Sequence, residues 1–189
     1  MTSGKISARI TRLMAEKQIS LEDLAARSGL NREFLNQLAA MDGFPSLGPM
    51  LKIARALGVR LGTLMDDQMS PDPLITRRDA ALEEIRMLPD KDKPPALKFY
   101  SLGKGKTDRH MEPFFIEILP ESAHDKKLSS HEGEEFIIVV SGRVELIYGK
   151  ETHVLEAGDS MYYNSVVPHC VSCAGDAPAA IYAVLYIPE

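Results

Sequence analysis

Cysteine is nearly absent: the chain holds only Cys170 and Cys173, too few for the disulfide framework of a small secreted domain. Long apolar runs are missing too. None approaches the ~20 residues a helix needs to cross a bilayer, so no membrane association is expected. The N-terminal residues lead directly into an amphipathic pattern without a signal-peptide core, which predicts a cytoplasmic protein. Nor does either charge dominate. A formal charge of −5 excludes a protein that coats nucleic acid wholesale. The average hides an asymmetry, because residues 1–68 carry nine Lys/Arg against seven Asp/Glu, a net +2, while the remainder is −7. A mildly basic head on an acidic body fits a small DNA-contact surface.

What is present is ordinary globular material, 44% hydrophobic and 26% charged over 189 residues, enough for one large or two small domains. The first 66 residues read as five helices. Ile6, Ile10, Leu13 and Met14 recur at helical spacing and give the first helix one apolar face. Ser20 and Asp23 form a capping box in which Asp23 replaces the usual Glu or Gln, opening a helix from Leu21 to Ser28. Gly29 supplies the turn, and Asn31 caps a third helix to about Ala40 whose inner face is Phe34, Leu35 and Leu38. Ser46 caps a fourth helix that ends at Gly58, and residues 61–65 form a final helical turn.

The run 20–38, followed by Pro45-Ser46 and the 51–59 segment, resembles the helix-turn-helix of lambda-repressor-like, XRE-family regulators. The resemblance implies that the third helix enters the major groove and reads bases with its outward residues Arg32, Glu33, Asn36 and Gln37. Arg suits guanine O6/N7 and Asn or Gln suits adenine N6/N7, each as a matched pair of hydrogen-bonding atoms. Relatives often place a basic loop after this helix. Here Ala39 to Gly43 carries no Lys or Arg, which implies fewer phosphate contacts and a flatter salt dependence.

Residues 69–97 read as a linker with edge elements: 66–73 is polar and proline-bearing, and 79–87 reads either as a helical turn or as an edge strand. From Lys98 to Glu189 the apolar runs shorten to strand length between Gly, Pro, Asn and Asp turns, the pattern of a sandwich or barrel. Strands are expected at 114–119, 135–140, 144–148, 153–155, 160–163 and 180–187. Within them, His131, Glu135 and Gly142 resemble the first cupin motif, and Gly158 and His169 the second, with Asn164 and Val166 replacing the usual Pro and Gly. The expected fold class is therefore α+β in two domains: an all-α five-helix helix-turn-helix domain (1–68) and an all-β cupin, or double-stranded β-helix, barrel (98–189).

The cupin resemblance implies a divalent metal (Fe, Zn, Ni or Mn) held by His131, Glu135 and His169, a two-His-one-carboxylate set with open positions. Ser129 stands where a further histidine ligand is usual, so a pocket that holds only an organic effector is the alternative. Arg109, His110, Ser129 and Cys173 are the remaining candidates for such an effector pocket; Arg109 reads equally as a surface or dimer-interface residue. Tyr148, Tyr162 and Tyr163 read as barrel wall, and His124 and His153 as solvent-exposed. On a strand Cys170 and Cys173 point to opposite faces and cannot clamp a metal or form a bridge.

Two functions share this architecture. In the first, the chain is a DNA-binding transcriptional regulator whose cupin senses a small-molecule or metal effector. Its partners are then a double-stranded operator and a second copy in a homodimer or higher homo-oligomer, and no residue is assigned a catalytic role. The alternative is a mononuclear non-haem iron enzyme of the fosfomycin-epoxidase type, which resembles this chain in domain order and in the spacing of His131, Glu135 and Pro168-His169. Such enzymes bring a lysine from the helical domain to the neighbouring subunit's site. The corresponding position falls near Ile19, with Lys17 offset from it.

Overall fold

A computed structural model describes residues 4–38, 45, 47–66, 73–77, 84–85, 96–106, 109–124 and 126–188. The chain separates into two compact units. The first holds five helices: α1 (Gly4–Glu16), α2 (Leu21–Ser28), α3 (Arg32–Leu38), α4 (Leu47–Ala56) and α5 (Leu61–Met65). It also recruits the segment Lys104–Arg109 from much later in the chain.

Local rules account for the helices. Ser20 Oγ accepts the Asp23 N–H at 3.0 Å, and Asp23 Oδ2 accepts the Ser20 N–H at 3.1 Å, so the expected capping box forms. Gly29 ends α2 in the left-handed region at φ +66°, and Asn31 Oδ1 accepts the Phe34 N–H at 2.7 Å to start α3. Such caps are each worth about 1 kcal/mol. The faces they orient bury Ile6, Ile10, Leu13, Leu24, Leu35, Leu38, Met50, Ile53 and Leu64 in one core. The proposed Ser46 cap, the loop 39–43 and most of the 67–95 linker lie outside the described residues.

The segment Lys104–Arg109 is tied in through Asp66, the residue that ends α5. Its carboxylate pairs with the Arg109 guanidinium and accepts the Gly105 N–H at 3.0 Å. The Asp66 and Arg109 side chains are 4% and 5% exposed. Gly62 makes room for this pair: a Cβ there would lie 2.7 Å from the guanidinium carbon, so any side chain at 62 would displace the Arg109 head from this position.

The second unit is built of antiparallel strands: β1 (Glu84–Ile85), β2 (Leu97–Ser101), β3 (Met111–Ile118), β4 (Glu134–Ser141), β5 (Arg143–Tyr148), β6 (Glu151–Glu156), β7 (Ser160–Asn164), β8 (His169–Cys173) and β9 (Ala179–Tyr186). They form a six-stranded sheet in the order β1-β2-β3-β9-β4-β7 and a three-stranded sheet in the order β6-β5-β8. All six expected strands form. Of the segment 79–87, only Glu84–Ile85 is among the described residues, and it forms an edge strand paired with Phe99 and Tyr100 of β2.

Alternation along the strands sorts the side chains. Phe114, Ile116, Ile118, Ile137, Val139, Val144, Leu146, Ile181, Ala183 and Leu185 are buried. The opposite face of the larger sheet is unusually apolar for an exposed surface, carrying Phe136, Ile138, Tyr162 and Tyr182.

Candidate metal centre and reading helix

His131, Glu135 and His169 come from three different pieces of chain, and backbone pairing draws them together. Ser129 and His169 exchange two backbone hydrogen bonds of 2.9 Å, an isolated bridge that fastens the loop before β4 to the start of β8. Two residues on, the His131 N–H donates to Ser165 O and the Ser165 N–H donates to Gly133 O, both at 2.9 Å. Gly133 sits at φ +101°, and a Cβ there would lie 2.2 Å from Tyr186 O. Only glycine fits that turn, and the turn delivers His131 to Glu135 at the start of β4.

The geometry is close. His131 Nε2 lies 3.0 Å and His169 Nε2 lies 3.3 Å from Glu135 Oε1, with all three side chains at most 10% exposed. The imidazole rings meet edge-on, 5.4 Å apart at 80°. Each Nδ1 faces a backbone carbonyl, Glu132 O at 3.0 Å for His131 and Val167 O at 2.8 Å for His169. A carbonyl only accepts, so both Nδ1 atoms carry hydrogen. A neutral imidazole then presents a lone pair at Nε2. Two such lone pairs and a carboxylate oxygen converge on one point, and only a cation or added protons can satisfy them.

The donor set fits a divalent metal ion. Bonds of about 2.1 Å at right angles would place neighbouring donor atoms about 3.0 Å apart, close to the observed separations. All three donor atoms lie within 4.8 Å of one another. Burial works to raise the Glu135 carboxyl, but hydrogen bonds and charge from both histidines outweigh it and bring the pKa to about 2. Burial works to lower the His169 imidazole, and its bonds to Glu135 and Val167 O leave it raised.

The structure distributes the other candidates differently. Ser129 is exposed and contributes its backbone to His169, not a ligand atom. Arg109 is committed to Asp66 and to Lys106 O in the helical unit, so the structure does not bring it to the metal cluster. His110 is exposed just before β3. Cys173 is buried, with Sγ 2.8 Å from Ala177 O. It shares a strand with His169 four residues on, or roughly 13 Å along it. Neither Cys170 nor Cys173 forms a disulfide.

Two neighbours of Glu135 were not singled out by sequence. Tyr163 Oη donates to Glu135 Oε2 and Ser165 Oγ to Oε1, each at 3.0 Å. Tyr163 is a wall residue that also reaches the triad, and the signal that finds it is parity, because it faces Glu135 directly across the β4–β7 pair.

In the helical unit, Arg32, Glu33, Asn36 and Gln37 are all exposed on α3, while Leu35 and Leu38 are buried behind them. Arg32 Nη1 lies 2.8 Å from Glu22 Oε1 of α2, an exposed pair.

Residues 9–70 match the Cro/C1-type helix-turn-helix DNA-binding domain, and residues 115–185 match the cupin domain. The chain belongs to the XRE-type helix-turn-helix proteins that carry a cupin domain. The transcriptional regulator SutR of Escherichia coli is 20% identical to this XRE-type cupin protein over 97% of the chain and 96% of its own length. The (S)-2-hydroxypropylphosphonic acid epoxidase of Streptomyces wedmorensis is 26% identical over 86% of the chain and 87% of its own length. Among solved structures, an HTH_3 family transcriptional regulator from Vibrio cholerae superposes with a TM-score of 0.69 at 19% identity, covering 99% of this chain and 97% of that one. At 19% identity the likeness shows the fold alone. Among the described residues no helix is long and apolar enough to cross a membrane.

Proposed function

We propose that this XRE-type cupin protein is a transcriptional regulator that reads an operator with α3 and answers to a metal ion or small-molecule effector in its barrel. The observation that carries the reading is the α2–α3 motif itself. Both helices are capped, their apolar faces are buried, and four side chains able to bond bases are left exposed on α3. A buried core with an exposed polar helix face is what major-groove reading requires. The regulator SutR, matched over nearly its whole length, favours the same reading.

His131, Glu135 and His169 hold the divalent metal, either as the effector or as the group to which it binds. A switch then requires effector binding to differ in free energy between DNA-competent and incompetent states. Two copies pair to present two reading helices to a two-fold operator, and the apolar outer face bearing Phe136, Ile138, Tyr162 and Tyr182 supports such self-association.

The enzyme reading rests on the metal triad and on the likeness to the epoxidase. Against it, the position expected to carry a helical-domain lysine holds Ile19, which is buried, and Lys17 Nζ lies 3.5 Å from Gly58 O. The deciding experiment measures metal content and DNA retardation on one purified sample, using DNA from upstream of the chain's own gene. Specific retardation that is lost in Arg32→Ala and Asn36→Ala supports the regulator. A metal-loaded protein that ignores DNA and oxidises a phosphonate overturns it.

A further inference from the structure

The two oxygens of Glu135 stand in different surroundings. Oε1 is the oxygen approached by both histidine Nε2 atoms, at 3.0 and 3.3 Å. It also accepts the Ser165 hydroxyl at 3.0 Å. Oε2 is bonded to the Tyr163 hydroxyl at 3.0 Å. A carboxylate oxygen has two lone pairs. On Oε1, one serves Ser165 and the other faces the histidines.

The two hydroxyl donors are firmly held. Ser165 is wholly buried and its backbone N–H is fixed to Gly133 O. Tyr163 is 6% exposed, its ring lies 5.1 Å from that of His169 and 5.4 Å from that of Tyr148, and its strand register sets it opposite Glu135. At 3.0 Å from a carboxylate oxygen that can only accept, the phenol is the donor of this bond.

We propose that Tyr163 and Ser165 are positioning residues that make Glu135 a one-oxygen ligand, with Oε1 turned to the metal and Oε2 held away by Tyr163. The inference rests on the metal reading of the triad. Both histidine Nε2 atoms approach Oε1, so for Glu135 to grip an ion with both oxygens its carboxylate would have to turn Oε2 toward them, out of the bond to Tyr163 that fixes its orientation. The site is thereby matched to first-row ions bound at about 2.1 Å and not to larger ions such as Ca²⁺, which readily take two oxygens of one carboxylate.

The test uses cobalt(II) as the probe on the full chain, read by its visible ligand-field spectrum and by chelator competition. Tyr163→Phe retains the ring packing and removes only the hydroxyl. The expected result is a 10–100-fold loss of cobalt affinity, the usual effect of removing such an orienting bond, together with altered ligand-field bands. Ser165→Ala should weaken binding in the same direction. Tyr100→Phe, which removes a phenol bonded to Glu117 and away from the triad, should match wild type.

A Tyr163→Phe chain that keeps wild-type affinity and spectrum overturns the proposal, even if its melting temperature falls, because a purely structural role would move only the latter. A wild-type chain that takes up no cobalt overturns the metal reading as well. The wild-type arm thus separates the two failures.

Discussion

The two candidate sites differ in how tightly their surroundings hold them. On α3 the four candidate readers stand in solvent, and the neighbour given to Arg32 is Glu22 in an exposed pair of the kind worth about 0–1 kcal/mol. In the barrel, each ring nitrogen and each carboxylate oxygen of the triad already has a directed neighbour. The four α3 side chains face solvent, so few protein contacts fix them. The metal site is set before any ion arrives, so little reorganisation is left for binding. Losing one group should therefore cost far more in the barrel than on the helix.

Glu135→Ala should produce the largest effect, because it removes the shared donor itself. Metal affinity should fall by more than the about 100-fold expected for an orienting partner, measured as bound metal after gel filtration. If that chain keeps a full equivalent, the contrast collapses. Arg109→Ala should come next. It removes the guanidinium bonded to the buried Asp66 carboxylate and leaves only the more indirect charge of Arg9, so denaturant unfolding should show a loss of about 3–5 kcal/mol.

On the helix, Arg32→Ala and Asn36→Ala should each weaken specific DNA binding by about 1–3 kcal/mol in fluorescence anisotropy, with metal content unchanged. Loss of metal in either variant would show that the two sites do not act separately.

A pH series should give a smaller effect. The folded value of His169 is raised above its ordinary 6.5, so its stabilisation is complete below that value and is lost as pH rises through the folded one. Glu135, brought from 4.5 to about 2, contributes above its ordinary value and loses that contribution as pH falls through about 2. Metal-free protein should therefore melt lower on the alkaline side of His169. Added metal should bind more tightly there, because it needs the imidazole neutral. The smallest change should be Glu22→Gln, which frees Arg32 and alters DNA affinity by at most about 1 kcal/mol, less at high salt.

Much of this was legible in the sequence, for physical reasons that also mark where legibility stops. The Ser20–Asp23 box, Gly29 and Asn31 act within three or four residues, so pattern alone places α2 and α3. The triad was found from fixed spacings, and the opposite facing of Cys170 and Cys173 follows from strand parity. The donors to Glu135 were not found, because Tyr163 and Ser165 lie 28 and 30 residues further along and meet it only through strand register. For Arg109 the sequence leaves an effector pocket and a surface or interface role equally open, and its buried pairing with Asp66 is neither. Its partner lies 43 residues earlier, at the end of a helix. Long-range pairs between charged residues leave no periodic trace.

That last pair also bears on how such proteins are taken apart and recombined. A fragment ending at residue 75 would contain all five helices and the whole matched DNA-binding segment. It would nevertheless discard Arg109 and Gly105, and with them the groups that neutralise and bond the Asp66 carboxylate. The helical head is therefore not a freely exchangeable cassette. The helical unit is completed by Lys104–Arg109, so the sequence that builds it is longer than the contiguous stretch matched to the DNA-binding domain.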